Sequence, residues 1–175
     1  MDERNLALRS WRMSDAPALA ALLRDPAVRR DLREGLPDPY TIADAQAFLA
    51  QVLTADPETT FSFAITCSDV PVGNLGVLRQ GNIHRYTGEM GYFLGRAYWG
   101  QGIATWAVRA AVAWLFAHTD LLRIYAEPLA RNTASCRVLE KAGFQLEGTL
   151  RHNAVKEGEV LDMRLYAVLR PETKR

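Results

Sequence analysis

Cysteine is scarce in this chain: only Cys67 and Cys136 occur among its 175 residues. They lie far apart and show no C-x-x-C or Cys/His spacing, so neither a disulfide framework nor a zinc site is indicated. The three histidines, His84, His118 and His152, are equally scattered. Charge of one sign is also lacking, because 21 Lys plus Arg stand against 20 Asp plus Glu for a net charge of +1. No broad basic field therefore points to nucleic acid or to an anionic membrane. No run approaches the roughly 18 apolar residues of a membrane span. The opening MDERNLALRS lacks the apolar stretch of a secretory leader, so a cytoplasmic protein is expected. Repeats, low-complexity tracts and long linkers are absent as well. Apolar residues make up 49% of the chain, which suits one domain over residues 1–175 with a real core.

Another absence sits at residues 98–105, YWGQGIAT, where two glycines precede a helix without a lysine. A nucleoside-triphosphate loop laid over Gly95 to Gly102 would put Gln101 where its lysine belongs and Gly102 where its Mg²⁺-binding hydroxyl belongs. A dinucleotide fingerprint fits only as Gly100, Gly102 and then Thr105, and the strand before it ends too early for the tight turn that motif needs. A third kind of loop holds a pyrophosphate with main-chain amides alone. The unpaired N–H groups and positive dipole end of the following helix suit that use.

The pattern along the chain alternates strands and helices. Leu6 to Met13 reads as a strand, and Ser14 then Asp15 precede an Ala/Leu-rich run to Leu23 that reads as a capped helix. DPAV at 25–28 starts a short helix, with Pro26 near its first position. Thr41 and Asp44 form a capping box before a helix whose face carries Ile42, Ala45, Phe48, Leu49 and Val52. Phe61, Phe63 and Ile65, then Val72, Leu75 and Val77, alternate as an antiparallel hairpin. Gly88 to Gly95 is a third strand in which Gly91 marks a bulge or a close approach. The helix from Gly102 to about His118 is apolar nearly all round, with Ile103, Ala107, Ala110, Trp114 and Ala117 as its most regular stripe. A strand over Leu122 to Glu127 follows, then a helix capped by Asn132 and stopped by Gly143. FQLEGTLR and VLDMRLYAVL close the chain as two strands with their turn in KEGE. The strand–helix–strand unit around Gly102 implies a right-handed parallel crossover in a mixed α/β sheet.

PDPYTIADAQAFL, FSFAI, VGNLGV, GEMGYFLGRAYWGQGIATWAV, NTASCRVLEKAGFQLEGTLR and DMRLYAVL occur in that order and cover nearly the whole chain. As an ordered set they resemble the GNAT superfamily of N-acetyltransferases, in its RimJ/RimL-like branch of ribosomal-protein acetyltransferases. The resemblance implies a mixed central sheet of about six or seven strands, flanked by helices and splayed between the fourth and fifth strands. It implies acetyl-CoA as co-substrate, no metal, an amine acceptor such as a protein N-terminus or else a small amine or antibiotic, and a monomer or homodimer.

The resemblance also assigns residues. Trp99, Gly100, Gln101, Gly102, Ile103, Ala104 and Thr105 would receive the pyrophosphate. Tyr92, Phe93 and Leu94 would border the pantetheine arm, with a main-chain N–H at Tyr92 or Phe93 polarising the acetyl carbonyl. Glu89 matches the base and Ser135 the proton donor, while Asn132 would both cap its helix and contact the CoA arm. Many members carry a tyrosine where this chain has Leu139, and a glutamate base of the branch falls at Ala154. Those two departures leave a non-catalytic acyl-CoA-binding module open beside the enzyme. Blander roles stay open too: a solvated strand-end carboxylate for Glu89 and backbone capping for Ser135. Trp99, Trp106 and Trp114 read as packing, Tyr125 and Tyr166 as residues able to line the acceptor side, and His152 as a base ranked below Glu89.

Overall fold

The computed structural model describes residues 5–172. Seven strands form one sheet in the order β1-β2-β3-β4-β5-β7-β6. They are β1 (Leu6–Arg9), β2 (Thr60–Cys67), β3 (Val70–Arg79), β4 (Thr87–Leu94), β5 (Arg123–Ala126), β6 (Gln145–Lys156) and β7 (Glu159–Leu169). Five α-helices accompany them among the described residues: α1 (Ala16–Arg24), α2 (Pro26–Arg29), α3 (Ile42–Thr54), α4 (Ile103–His118) and α5 (Thr133–Lys141). Among the described residues no helix is long and apolar enough to cross a membrane.

Local chemistry sets these boundaries. Ser68 and Asp69 join β2 to β3, and Glu157 and Gly158 join β6 to β7, all four at positive φ, as two-residue hairpin turns of right-twisted strands require. Thr41 and Asp44 cap α3 reciprocally. Asp25 accepts from the Ala27 N–H ahead of α2. At the end of α5 the Phe144 N–H reaches the Leu139 carbonyl and the Gly143 N–H reaches that of Glu140, a paired stop that Gly143 permits at φ 95°.

Helices cover both faces of the sheet. On one side α4 and α5 bury Ile103, Ala107, Val108, Ala111, Leu115, Cys136 and Leu139 against Ile65, Leu75, Met90 and Ile124. On the other, α1 to α3 bury Leu19, Leu23, Ala45 and Leu49 with Trp11 and Tyr40.

Several expectations need correction. β1 stops at Arg9, because Trp11 leaves the ladder, is buried, and donates to the Asn74 side chain. Asp15 does not cap α1; its carboxylate binds Arg9 and the Arg12 N–H. Ile42 is exposed. The buried stripe of α4 is Ile103, Ala107, Val108, Ala111 and Leu115, with Trp114 and Ala117 exposed. A helix apolar nearly all round shows its period but not its phase. Gly91 makes no bulge, since β3 and β4 pair without a shift through Gly76 and Gly91.

The sheet opens between its fourth and fifth strands. β4 and β5 run parallel and pair only over Thr87–Glu89 with Arg123–Tyr125. β4 then continues to Leu94 beside β3 alone.

Candidate active site

The loop that leaves β4 is shaped by two left-handed glycines, Gly100 at φ 72° and Gly102 at φ 77°. Its sides are pinned: Trp99 Nε1 donates to the Leu94 carbonyl at 2.9 Å and the Gln101 side-chain amide to the Ala97 carbonyl at 2.8 Å. The first main-chain bond of α4 runs from the Trp106 N–H to the Gly102 carbonyl. The amides of Ile103, Ala104 and Thr105 therefore precede the helical ladder, at the positive end of the dipole. Beside them lies a groove of about 620 Å³ lined by Gly102, Thr105, Trp106, Arg109, Ala110 and Lys141. Arg109 donates to the Lys141 carbonyl, which ties α4 to the end of α5 beside the groove.

Glu89 occupies the last paired position of β4, opposite Tyr125 of β5. Its side chain is 22% exposed and ion-pairs with Arg33, which follows α2. The Tyr125 hydroxyl donates to it at 3.3 Å. Burial, followed by the negative charges of Glu89 and Glu127, pushes the Tyr125 pKa up to about 12, so the phenol keeps its hydrogen. The Glu127 pKa is also raised from its usual value, first by burial and then by the charge of Glu89. The mouth of the fork is thus a mixed cluster of two carboxylates, one phenol and one guanidinium.

Strand alternation sends Tyr92 to the face opposite Glu89, where its hydroxyl lies 2.9 Å from Ser135 Oγ in the first turn of α5. Asn132 caps that turn by accepting from the Ser135 N–H at 3.1 Å. Phe93 packs with the N-terminal helices, and Leu94 is buried with the α4 side. Ser135 therefore comes together with Tyr92 and Asn132 and not with Glu89. The two candidate proton carriers flank the fork from opposite faces of the sheet. Leu139 is fully buried, so no hydroxyl reaches the fork from that position of α5. Tyr166 does not line the acceptor side; it is fully buried and donates to the carboxylate of Glu140 in α5. His152 sits exposed in the irregular part of β6, its N–H on the Asp162 carboxylate.

Sequence reasoning missed Arg33, Glu127, Arg109, Lys141 and the side chain of Tyr92. For Arg109 a signal existed, since it lies one helical turn beyond Thr105 on the groove side. The others are brought in by separate elements, and nothing in their local sequence marks them.

Residues 5–145 match the family described as "Acetyltransferase (GNAT) domain". The probable N-acetyltransferase YjcK of Bacillus subtilis is 34% identical over 141 residues, 79% of this chain and 78% of that protein. The uncharacterized N-acetyltransferase p20 of Bacillus licheniformis is 30% identical over 173 residues, 95% and 94% of the two chains. Among solved structures, RimL, a ribosomal L7/L12 alpha-N-protein acetyltransferase in complex with coenzyme A, superposes with a TM-score of 0.83. That likeness covers 94% of this chain and 93% of RimL at 24% identity, and at that level it speaks for the fold. The open parallel seam, the glycine loop and these matches agree: the chain belongs to the GNAT family and is an acetyltransferase.

Proposed function

We propose that this protein moves an acetyl group from acetyl-CoA directly to a primary amine, and that the amine is a protein N-terminal α-amine. The observation that carries the transfer is the fork, where β4 leaves β5 with Glu89 at the last paired position and the glycine loop at the far end of the same strand. The residues fit CoA. Left-handed glycines bring the backbone close to an anion, the first amides of α4 face it, and Arg109 and Lys141 would meet further phosphate charge. What acetyl-CoA supplies when bound is an activated acetyl thioester. A main-chain N–H at Tyr92 or Phe93, on the stretch of β4 without a β5 partner, would hold the acetyl oxygen. Glu89 would take the amine proton directly or through one water. Ser135 would give a proton to the departing sulfur, and Asn132 would hold the Ser135 turn in place while contacting the CoA arm.

The protein N-terminus is supported by the ordered motifs shared with the RimJ/RimL-like branch. The matched fold of RimL, which acetylates a protein α-amine by its own description, points the same way. A second reading, a polycationic small amine, is favoured by Glu127 beside Glu89, since two carboxylates at one mouth attract more than one positive charge. On either reading the chain would work as one domain over residues 1–175, as a monomer or homodimer in the cytoplasm.

The test is free-thiol release from acetyl-CoA across peptide N-termini, polyamines and aminoglycosides, with CoA binding measured alongside. Release with peptides alone supports the first reading, and release with polyamines alone replaces it by the second. Tight CoA binding without release from any acceptor counts against both.

A further inference from the structure

We infer that Tyr92 is a positioning residue for Ser135: its phenol donates to Ser135 Oγ and leaves the serine's own hydrogen directed to the open fork. This inference rests on the reading of Ser135 as proton donor. The Tyr92 oxygen lies 2.9 Å from Ser135 Oγ and 3.2 Å from the Ser135 carbonyl. The phenol carries one hydrogen and has two acceptors in reach, the Ser135 hydroxyl and the Ser135 carbonyl, so the two contacts compete for it. The shorter contact is the one to the hydroxyl.

Two hydroxyls that share one hydrogen bond must choose a donor. A phenol is far more acidic than an aliphatic alcohol, so Tyr92 is the better donor and Ser135 the better acceptor. Burial is the strongest influence on the phenol's pKa and pushes it above its usual value. Tyr92 accordingly keeps its hydrogen across the neutral range. The backbone cooperates: Tyr92 stands on the part of β4 that has no β5 partner, and Asn132 fixes the turn that carries Ser135. On α5 itself the place one turn further along is taken by apolar Leu139, so the phenol beside the serine comes from the strand.

The proton balance is explicit. As the nitrogen–carbon bond forms and the carbon–sulfur bond breaks, Ser135 gives its proton to the sulfur that leaves with the electron pair. As it does so, the more acidic Tyr92 passes its hydrogen to the Ser135 oxygen through their shared bond, and solvent returns a proton to the phenol. Glu89 passes the proton taken from the amine to solvent, so one proton leaves and one arrives.

Four proteins test the role: the wild type, Tyr92→Phe, Ser135→Ala and the double variant, each assayed for kcat, acetyl-CoA KM, CoA affinity by calorimetry and Tm. Tyr92→Phe keeps the ring and should lower kcat about tenfold, the scale of one hydrogen bond, with CoA affinity unchanged. In the Ser135→Ala background the same change should cost no further turnover. An equal loss in both backgrounds, or a lower Tm with full kcat, makes Tyr92 merely structural and overturns the inference while leaving Ser135 its role. Full turnover in Ser135→Ala overturns the proton-donor reading itself.

Discussion

At φ 77° Gly102 holds a backbone conformation that branched side chains resist. Nothing lies within 4 Å of where its Cβ would point, so the torsion and not crowding makes the glycine necessary. Gly102→Val should turn the loop out of shape at about 2 kcal/mol. Calorimetry should then find CoA affinity reduced at least tenfold while circular dichroism stays unchanged. Glu89→Gln tests a different atom: it keeps shape and removes the base. Thiol-release kinetics should show kcat down roughly 100-fold with CoA binding intact; unchanged kcat would reduce Glu89 to a counter-ion of Arg33. The paired glycine before a helix is a local pattern in the sequence, whereas Glu89 is singled out by its match to the family's motif. Arg33 and Glu127 are not, since each reaches the fork by a tertiary path that no spacing encodes.

Between elements, two ion pairs of Arg9 join β1, the turn before α1 and the β2–β3 turn. Arg9 forks onto both Asp15 oxygens at 2.8 and 2.9 Å and also binds Asp69. Burial is the largest single influence on Asp15 and raises its pKa. The bonds from Arg9 and the Arg12 N–H together outweigh it, and the carboxyl ends below its usual value. A depressed acid stabilises the fold above its unfolded pKa, near about 3.9, and loses that contribution as pH falls through the lower folded value. Asp15→Asn should cost about 2 kcal/mol at neutral pH, read as a Tm lower by roughly 5 °C. The gap between variant and wild type should close as the pH is taken below about 4. Equal gaps at pH 7 and pH 3 would refute this account. The sequence announced most elements through caps, turn glycines and alternation. It hid the phase of α4, because Val108, Ala111 and Leu115 compete there with Ala110, Trp114 and Ala117 of like polarity. It also left unstated that β7 lies between β5 and β6, an order decided by packing.

Across the whole molecule, the stretch just after α2 is tied to the β6–β7 hairpin. Lys156 Nζ binds the Arg29 and Leu32 carbonyls, and the Glu157 N–H donates to Glu34. Arg131 bridges Asp31 and Glu159. Arg33 thus arrives at Glu89 from a segment that the far end of the sheet holds down. Lys156→Ala should loosen that segment and raise acceptor KM several-fold, while CoA affinity stays constant in parallel titrations; a change in CoA affinity instead would place the tie on the donor side. The fork itself has one more consequence. Within the sheet, strands β1–β4 and β5–β7 share just three rungs, so the seam behaves as a zipper left half undone. Bound CoA would act as the slider. Amide hydrogen exchange along β4 and β5 should slow when it is added, beyond what the loop alone explains, as two separately breathing halves become one.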